Sequence, residues 1–402
     1  MQTPLRIVLV HRYFYPDTPP YATILLSVAK ALAAAGHDVT VLTCQPSYNR
    51  QVVDCAPARE NIDGVEVVRW PVVDDRKSMG RKLLNLVMFA LHLMLARRTF
   101  RDAEVVMAAT TPPVLIASLC SLLARQHGAR FIYHKQDIYP EVVQATGQQS
   151  ATPVNWILRQ VDRRTDRRAD RLVVLSDDMK RTSEARGVSS ERIAILNNFD
   201  PWEIGTLAEK ATEEEQSSKA LNLVFAGNLG RFQGLEALVN LIHKTKDESR
   251  ITWHFFGDGP MKQAIAVLAD DRCNIVMHGY QPAPVVASFV SRADLGIVSL
   301  HPGVITAAYP SKTMTYLRQG CPILALVDED SELASMVREN RIGLTVDQRA
   351  TGLLASQLQE LIIDRRSLDG ARERARTVYV DNFSPEVQLK RWIALFEEVA
   401  TL

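Results

Sequence analysis

Short apolar runs of β-type composition alternate with segments of helical periodicity from one end of the chain to the other. In the first half the runs fall at 5–10, 38–43, 65–69, 104–108, 131–135, 171–175 and 193–196. In the second half they fall at 221–226, 251–256, 274–278, 295–299, 323–327 and 344–346. Segment 22–35 carries apolar residues at helical spacing, and Gly36 closes it as a C-cap. This alternation predicts an α/β protein built on parallel, doubly wound sheets. Residues 203–220 break the pattern with a polar stretch, Glu213-Glu214-Glu215-Gln216-Ser217-Ser218-Lys219, and read as a linker or surface excursion. The expected division is an N-terminal domain over 1–200 and a C-terminal domain over 201–379, each long enough for its own core. A last amphipathic helix is expected at 385–401, with Leu389, Trp392, Ile393, Phe396 and Val399 on one stripe.

Composition narrows the class. The 402 residues are 47% hydrophobic and 23% charged, with a net charge of +1. A dedicated nucleic-acid binder is usually clearly basic, so that class is disfavoured. Five scattered cysteines form no Cys-x-x-Cys pair, which argues against a disulfide framework or a zinc site and for a reducing cytoplasm. The first ten residues lack the apolar region and cleavage site of a signal peptide. No segment reaches the ~20 apolar residues of a spanning helix. The nearest, 83–96, is flanked by Arg76, Lys77, Arg81 and Lys82 on one side and Arg97, Arg98 and Arg101 on the other. It suits an anionic membrane surface; the alternative is a mostly buried core helix with solvated basic ends.

Ligands of open parallel sheets sit beyond the carboxyl ends of the strands, so the loops there are the candidates for chemistry. The loop 11–23 after the first strand is rich in aromatic and Pro residues, including Tyr15 and Tyr21, and shapes a rim for an acceptor. After the strand at 131–135, His134 and Gln136 face the same way by the period of two, and Asp137 and Glu141 follow. A carboxylate there can orient a sugar hydroxyl or receive its proton, or it can simply cap the next helix. Residues 225–234 read Phe-Ala-Gly-Asn-Leu-Gly-Arg-Phe-Gln-Gly. Their glycines permit close approach of a phosphate, with Arg231 as the cation. This is not the Gly-x-Gly-x-x-Gly fingerprint, so a nicotinamide or flavin enzyme is disfavoured. Tyr280 can stack on a uracil base or pack plainly.

Residues 309–322, Tyr-Pro-Ser-Lys-Thr-Met-Thr-Tyr-Leu-Arg-Gln-Gly-Cys-Pro, are the most informative stretch. Pro310 and Ser311 are helix-start residues, and Gly320 and Pro322 stop the helix. A helix start with Ser311 and Lys312 in its first turn suits the diphosphate of a nucleotide sugar.

In order and spacing these motifs resemble the retaining glycosyltransferases of family 4. The resemblance rests on Tyr15-Pro16, residues 36–43 (Gly-His-Asp-Val-Thr-Val-Leu-Thr) and residues 136–141 (Gln-Asp-Ile-Tyr-Pro-Glu). It continues through 197–200 (Asn-Asn-Phe-Asp), 227–230 (Gly-Asn-Leu-Gly), 257–260 (Gly-Asp-Gly-Pro), Ala293-Asp294 and Pro310-Ser311-Lys312, and ends at Gly320-Cys321-Pro322. The subgroup it is most similar to builds bacterial O-antigen, capsule or exopolysaccharide units and includes fucosamine transferases. The resemblance implies the GT-B architecture of two facing Rossmann-like domains, with a C-terminal helix, 380–402, crossing back onto the first. It implies a nucleotide-sugar donor, UDP-linked, on the second domain, contacted by Gly227, Asn228, Gly230, Gln233, Gly259, Tyr280, Pro310, Ser311 and Thr315. It implies a polyprenyl-diphosphate-linked acceptor on the first, contacted by Tyr15, Tyr21, His134, Gln136 and Glu141, at the inner face of the plasma membrane. Asp137, Arg231 and Lys312 are the expected catalytic residues, with no metal and no cofactor.

Four departures stand out. The two glutamates common in the family fall at Ala307 and Thr315, and the usual Arg and Lys of the phosphate loop at Asn228 and Gln233. The His before the acceptor-side Asp is Gln136, and Pro19-Pro20 replaces a glycine pair. The subgroup often shows the Thr, Asn and Gln changes, which indicates a variant donor site. Two other readings fit the architecture: a nucleotide-sugar 2-epimerase, and a non-catalytic nucleotide-sugar-binding partner of another transferase.

Overall fold

The computed structural model describes residues 3–17, 19–48, 55–74, 78–110, 114–145, 153–200, 220–245, 248–270, 274–347 and 351–402. Arg76, Lys77 and nearly all of the expected linker at 203–220 lie outside the described residues. The chain forms two compact units. The first is Met1–Val143, Gln149–Pro201 and Pro385–Leu402; the second is Gln144–Gln148 and Trp202–Ser384.

Among the described residues the first unit holds eight strands: β1 (Arg6–Val10), β2 (Asp38–Cys44), β3 (Arg59–Ile62), β4 (Val65–Trp70), β5 (Val105–Ala109), β6 (Arg130–His134), β7 (Arg171–Val174) and β8 (Ile193–Ile195). They make one sheet in the order β3-β4-β2-β1-β5-β6-β7-β8. The second unit holds β9 (Leu221–Ala226), β10 (Ile251–Phe256), β11 (Ile275–Gly279), β12 (Leu295–Ser299), β13 (Ile323–Leu326) and β14 (Gly343–Val346), in the order β11-β10-β9-β12-β13-β14. In each sheet the strand order reverses once, between β1 and β5 and between β9 and β12, which marks the switch points where ligands bind in such sheets.

The central strands β5, β12 and β13 are buried along their whole length, as parallel strands covered on both faces must be. One strand was not expected from the periodicity. β3 pairs antiparallel with β4, Ile62 opposite Val65, across a two-residue turn. Asp63 and Gly64 both take positive φ there, 50° and 89°, the backbone that a type I′ hairpin demands.

The first core joins Ile7 and Leu9 of β1 to Leu25 and Leu32 of the helix Pro20–Ala34 and to Trp392, Leu395, Phe396 and Val399 of the helix Pro385–Ala400. Burying a side chain of this size contributes about 1.5–3 kcal/mol, so the C-terminal helix is an integral part of the first unit. The second core gathers Leu223 and Phe225 of β9, Trp253 and Phe255 of β10, and Leu324 and Leu326 of β13.

The apolar segment with basic flanks becomes the helix Met79–Leu95, started by Ser78, whose hydroxyl accepts from the Arg81 backbone N–H. Phe89 and Leu93 are buried, but Leu83, Leu84, Val87, Leu91 and Met94 are exposed. It is therefore not a mostly buried core helix. No helix among the described residues is long and apolar enough to cross a membrane.

Candidate functional site

In the second unit, three strand-end loops are sewn together beside the switch point. The Gly227 N–H donates to the Phe256 carbonyl at 3.0 Å, the Leu229 N–H to Asp258 O at 2.8 Å, and the Gly257 N–H to Gly279 O at 2.7 Å. Glycine is required by contact as well as by conformation. Gly257 has φ 122°, and a Cβ there would lie 2.0 Å from the Gly227 carbonyl oxygen. Gly259 has φ 153°, and its Cβ would meet Leu229 O at 2.5 Å. The loop after β9 is thus held flat against the loop after β10, with backbone rather than side chains at its surface.

Lys312 reaches this loop. Its Nζ donates to Gln233 Oε1 at 2.6 Å and sits 3.5 Å from the centroid of the Phe225 ring. Among the described residues no carboxylate pairs with it, and desolvation holds its ammonium well below the usual lysine range. A dehydrated cation whose contacts are an amide oxygen and a ring face gains strongly from an arriving anion. The helix it opens, Lys312–Arg318, begins two residues after the expected start at Pro310 and is only seven residues long. Ser311 is exposed and makes no capping bond, and Pro310 is buried. The case for an anion therefore rests on the Lys312 ammonium more than on the helix end.

One turn along the same helix, Tyr316 accepts from the Ala226 N–H at 2.8 Å, where β9 ends and the glycine loop begins. Its ring lies over Gly296, where a Cβ would come within 2.6 Å of Cδ2. Tyr316 thus ties the helix of Lys312 to the root of the phosphate-type loop. Sequence reasoning missed this tie, although the i,i+4 spacing from Lys312 signals it.

Among the other candidates, Asn228 packs against Gly230, and Gly227 and Gln233 flank the ammonium. Thr315 is half-buried and Ala307 fully buried. Tyr280, 77% exposed, stands at the end of β11, beyond a stack of His278 on Phe256 with centroids 4.1 Å apart. The Arg231 backbone belongs to the short turn Arg231–Gln233, and its side chain lies outside the described residues. No group of three or more His, Cys, Asp or Glu among the described residues is placed to hold a metal ion.

In the first unit the loops after β1, β5 and β6 meet at the other switch point. His134 bonds Tyr21 Oη through Nδ1 at 2.8 Å and the Gln136 amide through Nε2 at 2.8 Å. Asn198 Nδ2 donates to Gln136 Oε1 at 2.7 Å, and the Gln136 backbone N–H donates to Thr110 Oγ1 at 3.1 Å. Gln136 Nε2 then donates to His134 Nε2, which places the ring proton on Nδ1 facing Tyr21. Burial, with His11 nearby, pulls the His134 pKa down to about 3, so the imidazole is neutral. His11 is likewise pulled down to about 4 by burial.

Asp137 follows Gln136. Among the described residues its carboxylate accepts no hydrogen bond, and burial pushes its pKa up to about 6. Glu141 is engaged elsewhere. It pairs with Arg186 and lies 3.4 Å from Arg159. Arg186 also pairs with Asp162 and donates to the Tyr139 carbonyl. Lys135 reaches Asp162 at 2.9 Å and Asp166 at 2.6 Å, and the Tyr133 hydroxyl donates to Asp162 at 2.7 Å. This buried charge network braces the loop that carries Asp137. Tyr15 is exposed, and its carbonyl is held by Arg69 at 2.6 Å.

Two Rossmann-like units with loops of this kind at their switch points are the GT-B architecture. Residues 21–198 match the Glycosyl transferase 4-like domain and residues 220–364 match Glycosyl transferases group 1, so across most of its length the chain belongs to the glycosyltransferases. It is similar to the Pseudomonas aeruginosa "Probable glycosyltransferase WbjE", at 24% identity over 82% of this chain and 83% of that one. It is also similar to the "Putative colanic acid biosynthesis glycosyl transferase WcaI" of Escherichia coli K12, at 24% identity over 87% of this chain and 91% of that one. Among solved structures, sucrose-phosphate synthase from Thermosynechococcus elongatus superimposes with a TM-score of 0.73 at 15% identity, covering 98% of each chain. Anabaena HepE in complex with UDP gives 0.71 at 12% identity, covering 99% of this chain and 100% of that one. At such identities the structural likeness shows the fold.

Proposed function

We propose that the chain transfers a sugar, with retention, from a UDP-sugar to a polyprenyl-diphosphate-linked saccharide during surface-polysaccharide assembly. The donor sugar is an N-acetylated amino or deoxy sugar in this reading. The observation that carries it is the dehydrated Lys312 ammonium, which has no carboxylate partner among the described residues and stands beside the Gly227–Gly230 loop. The polysaccharide relatives and the UDP complex of a structural neighbour support the substrate classes. The second unit holds the donor, with Lys312 and Arg231 toward the diphosphate, Ser311 and Thr315 nearby, and Tyr280 toward the base.

In the reaction the bond from the anomeric carbon to the phosphate oxygen breaks, and the acceptor oxygen bonds to the same face of that carbon. The acceptor proton passes to a departing phosphate oxygen, and Asp137, in the first unit, orients the hydroxyl. Charge grows on the diphosphate as the bond breaks, so preorganised cations there act mainly on the transition state. The acceptor's lipid anchor places the enzyme at the inner membrane surface, with the basic, apolar region near 76–101 toward it.

Transfer of radiolabelled sugar from a panel of nucleotide sugars to membrane lipid extract tests this reading. Lipid-soluble product with one donor, lost in Lys312→Ala, supports it. Donor binding without transfer from any donor would instead favour a non-catalytic nucleotide-sugar-binding partner, the reading that Ala307 and Thr315 motivate.

A further inference from the structure

The helix Met79–Leu95 does not present its apolar face alone. The helix Leu115–His127 packs against it and also against the helix Pro153–Arg168, all within the first unit. Each of the three exposes large apolar side chains. The first exposes Leu83, Leu84, Val87 and Leu91 on one arc, opposite buried Asn85, Phe89 and Leu93. The second exposes Leu115 and Leu122, seven residues apart and so on one face. The third exposes Val154, Trp156 and Ile157 in its first turns, Trp156 to 65%. A run of exposed apolar side chains over three neighbouring helices exceeds what a soluble surface ordinarily carries.

The charge on these helices is one-sided. Arg81 and Lys82 are exposed in the first turn of the first helix, and Arg97 and Arg98 follow its end; Arg101, next along, is paired with the exposed Asp102 at 3.3 Å. Arg125 is exposed on the second, and Arg164 and Arg167 on the third. None of the three helices bears an exposed acidic side chain. Asp162 and Asp166, the acids they carry, are buried against Lys135. The whole chain has a net charge of only +1, so this concentration of cations is offset by an excess of acidic residues elsewhere. Exposed apolar side chains and cations on the same helices, Trp156 among them, match an anionic bilayer surface in both of its chemistries.

We infer that the three helices form one membrane-docking face, which seats Leu83, Leu84, Leu91 and Trp156 in the headgroup boundary of an anionic leaflet. This deepens the proposed function, since it rests on the reading of a lipid-linked acceptor. It extends the docking surface beyond residues 76–101 to two further helices. Docking is interfacial: the side chains lie in the leaflet and no helix spans it.

The test is cosedimentation of the full-length protein with phosphatidylglycerol-containing vesicles and with pure phosphatidylcholine vesicles, across a salt series. Binding is expected to the anionic vesicles and to weaken with salt. The single variants Leu84→Glu, Leu91→Glu and Trp156→Glu alter exposed positions, so melting temperature should hold while vesicle affinity falls about tenfold or more each. The loss in Trp156→Glu is the specific mark of a three-helix face. No binding to anionic vesicles overturns the inference. So does wild-type affinity in Trp156→Glu, or a dimer in light scattering that Leu91→Glu converts to monomer with vesicle binding unchanged. Transfer to a detergent-solubilised acceptor is read separately: vesicle binding without transfer would sink the proposed function and spare this face, and transfer without vesicle binding the reverse.

Discussion

Replacing Lys312 by Met should make the protein more stable and nearly inactive. The ammonium is held among Phe225, Gln233 and Gly227 with no carboxylate among the described residues beside it, so the folded protein bears a desolvation cost that water would not impose. The substitution forfeits the hydrogen bond to Gln233, about 1 kcal/mol net, and the contact with the Phe225 face, about 1 kcal/mol. It removes a buried charge, and exchanging buried ionic groups for apolar ones of similar size is neutral to stabilising by about 1–4 kcal/mol. A charge without a carboxylate beside it belongs at the upper end of that range, about 3–4 kcal/mol, so with about 2 kcal/mol of lost contacts subtracted the gain is roughly 1–2 kcal/mol at neutral pH. The pH dependence has a definite sign. The folded pKa lies below the unfolded one, so the cost is complete below the folded pKa and fades as pH rises toward about 10.4. The advantage of Lys312→Met should therefore shrink in alkali. If Lys312 meets the leaving diphosphate, the same change should lower kcat/KM by about 10²–10³, the usual loss for one preorganised donor to developing charge. Urea unfolding at pH 7 and near pH 10, with steady-state transfer assays, measures both effects. A variant that is destabilised at pH 7 and keeps its transfer rate would refute the reasoning on both counts.

Three further outcomes follow from the geometry. Gly257→Ala would drive a Cβ into the Gly227 carbonyl at a backbone angle that L-residues avoid, and should cost more than about 3 kcal/mol in thermal unfolding. Asp137 has its pKa raised to about 6, so log kcat/KM should fall with unit slope below that pH, and Asp137→Asn should abolish this limb along with most of the activity. The raised pKa also means that ionising Asp137 opposes folding, so this group's contribution to stability declines from about pH 4 to pH 6. Asp162→Asn should destabilise by about 1.5–3 kcal/mol in urea titration, because Lys135 and Arg186 would lose one of the two buried carboxylates they share and keep only Asp166.

The sheets were legible because the parallel strands are apolar runs, and those at the centre of each sheet are buried along their length. The strand at 131–135 shifted by one residue, and the period-of-two argument still brought His134 and Gln136 into contact. β3 was missed because Arg59-Glu60-Asn61-Ile62 is an edge strand with only one apolar residue, and the signal that could have found it was the Asp63-Gly64 turn. The charge network of Lys135, Asp162, Asp166 and Arg186 was illegible for a different reason. Its members are far apart in sequence, and each alone looks like a surface charge. Asp162 and Asp166 lie four residues apart on one helix, yet only the fold reveals that β6 presents Lys135 to that pair. Glu141 was grouped with Asp137 by proximity in sequence, while the structure divides their surroundings, giving Glu141 two arginines and Asp137 burial with no ion pair among the described residues.

The residues missing from the family pattern bear on how such a site works. A glutamate near the donor would neutralise Lys312 in the free enzyme and would have to be matched again when the diphosphate arrived. With Ala307 and Thr315 at those positions, no carboxylate on that stretch competes with the ligand. If Lys312 meets the donor as proposed, its proton and the donor's charge become linked: a bound diphosphate would raise the Lys312 pKa, and a proton would accompany the ligand wherever the pH lies between the free and bound values. On the acceptor side the corresponding economy is the neutral His134, whose proton is fixed by Gln136 and Tyr21, which leaves Asp137 as the group whose titration sits in the working range. If the proposed roles hold, the two units divide the proton chemistry, one coupling protonation to donor binding and the other to acceptor orientation. Donor affinity should weaken as pH rises in the wild type and lose that dependence in Lys312→Met, whereas the acid limb near pH 6 should survive in Lys312→Met and vanish in Asp137→Asn. A single shared pH dependence, altered alike by both substitutions, would show that the division is wrong.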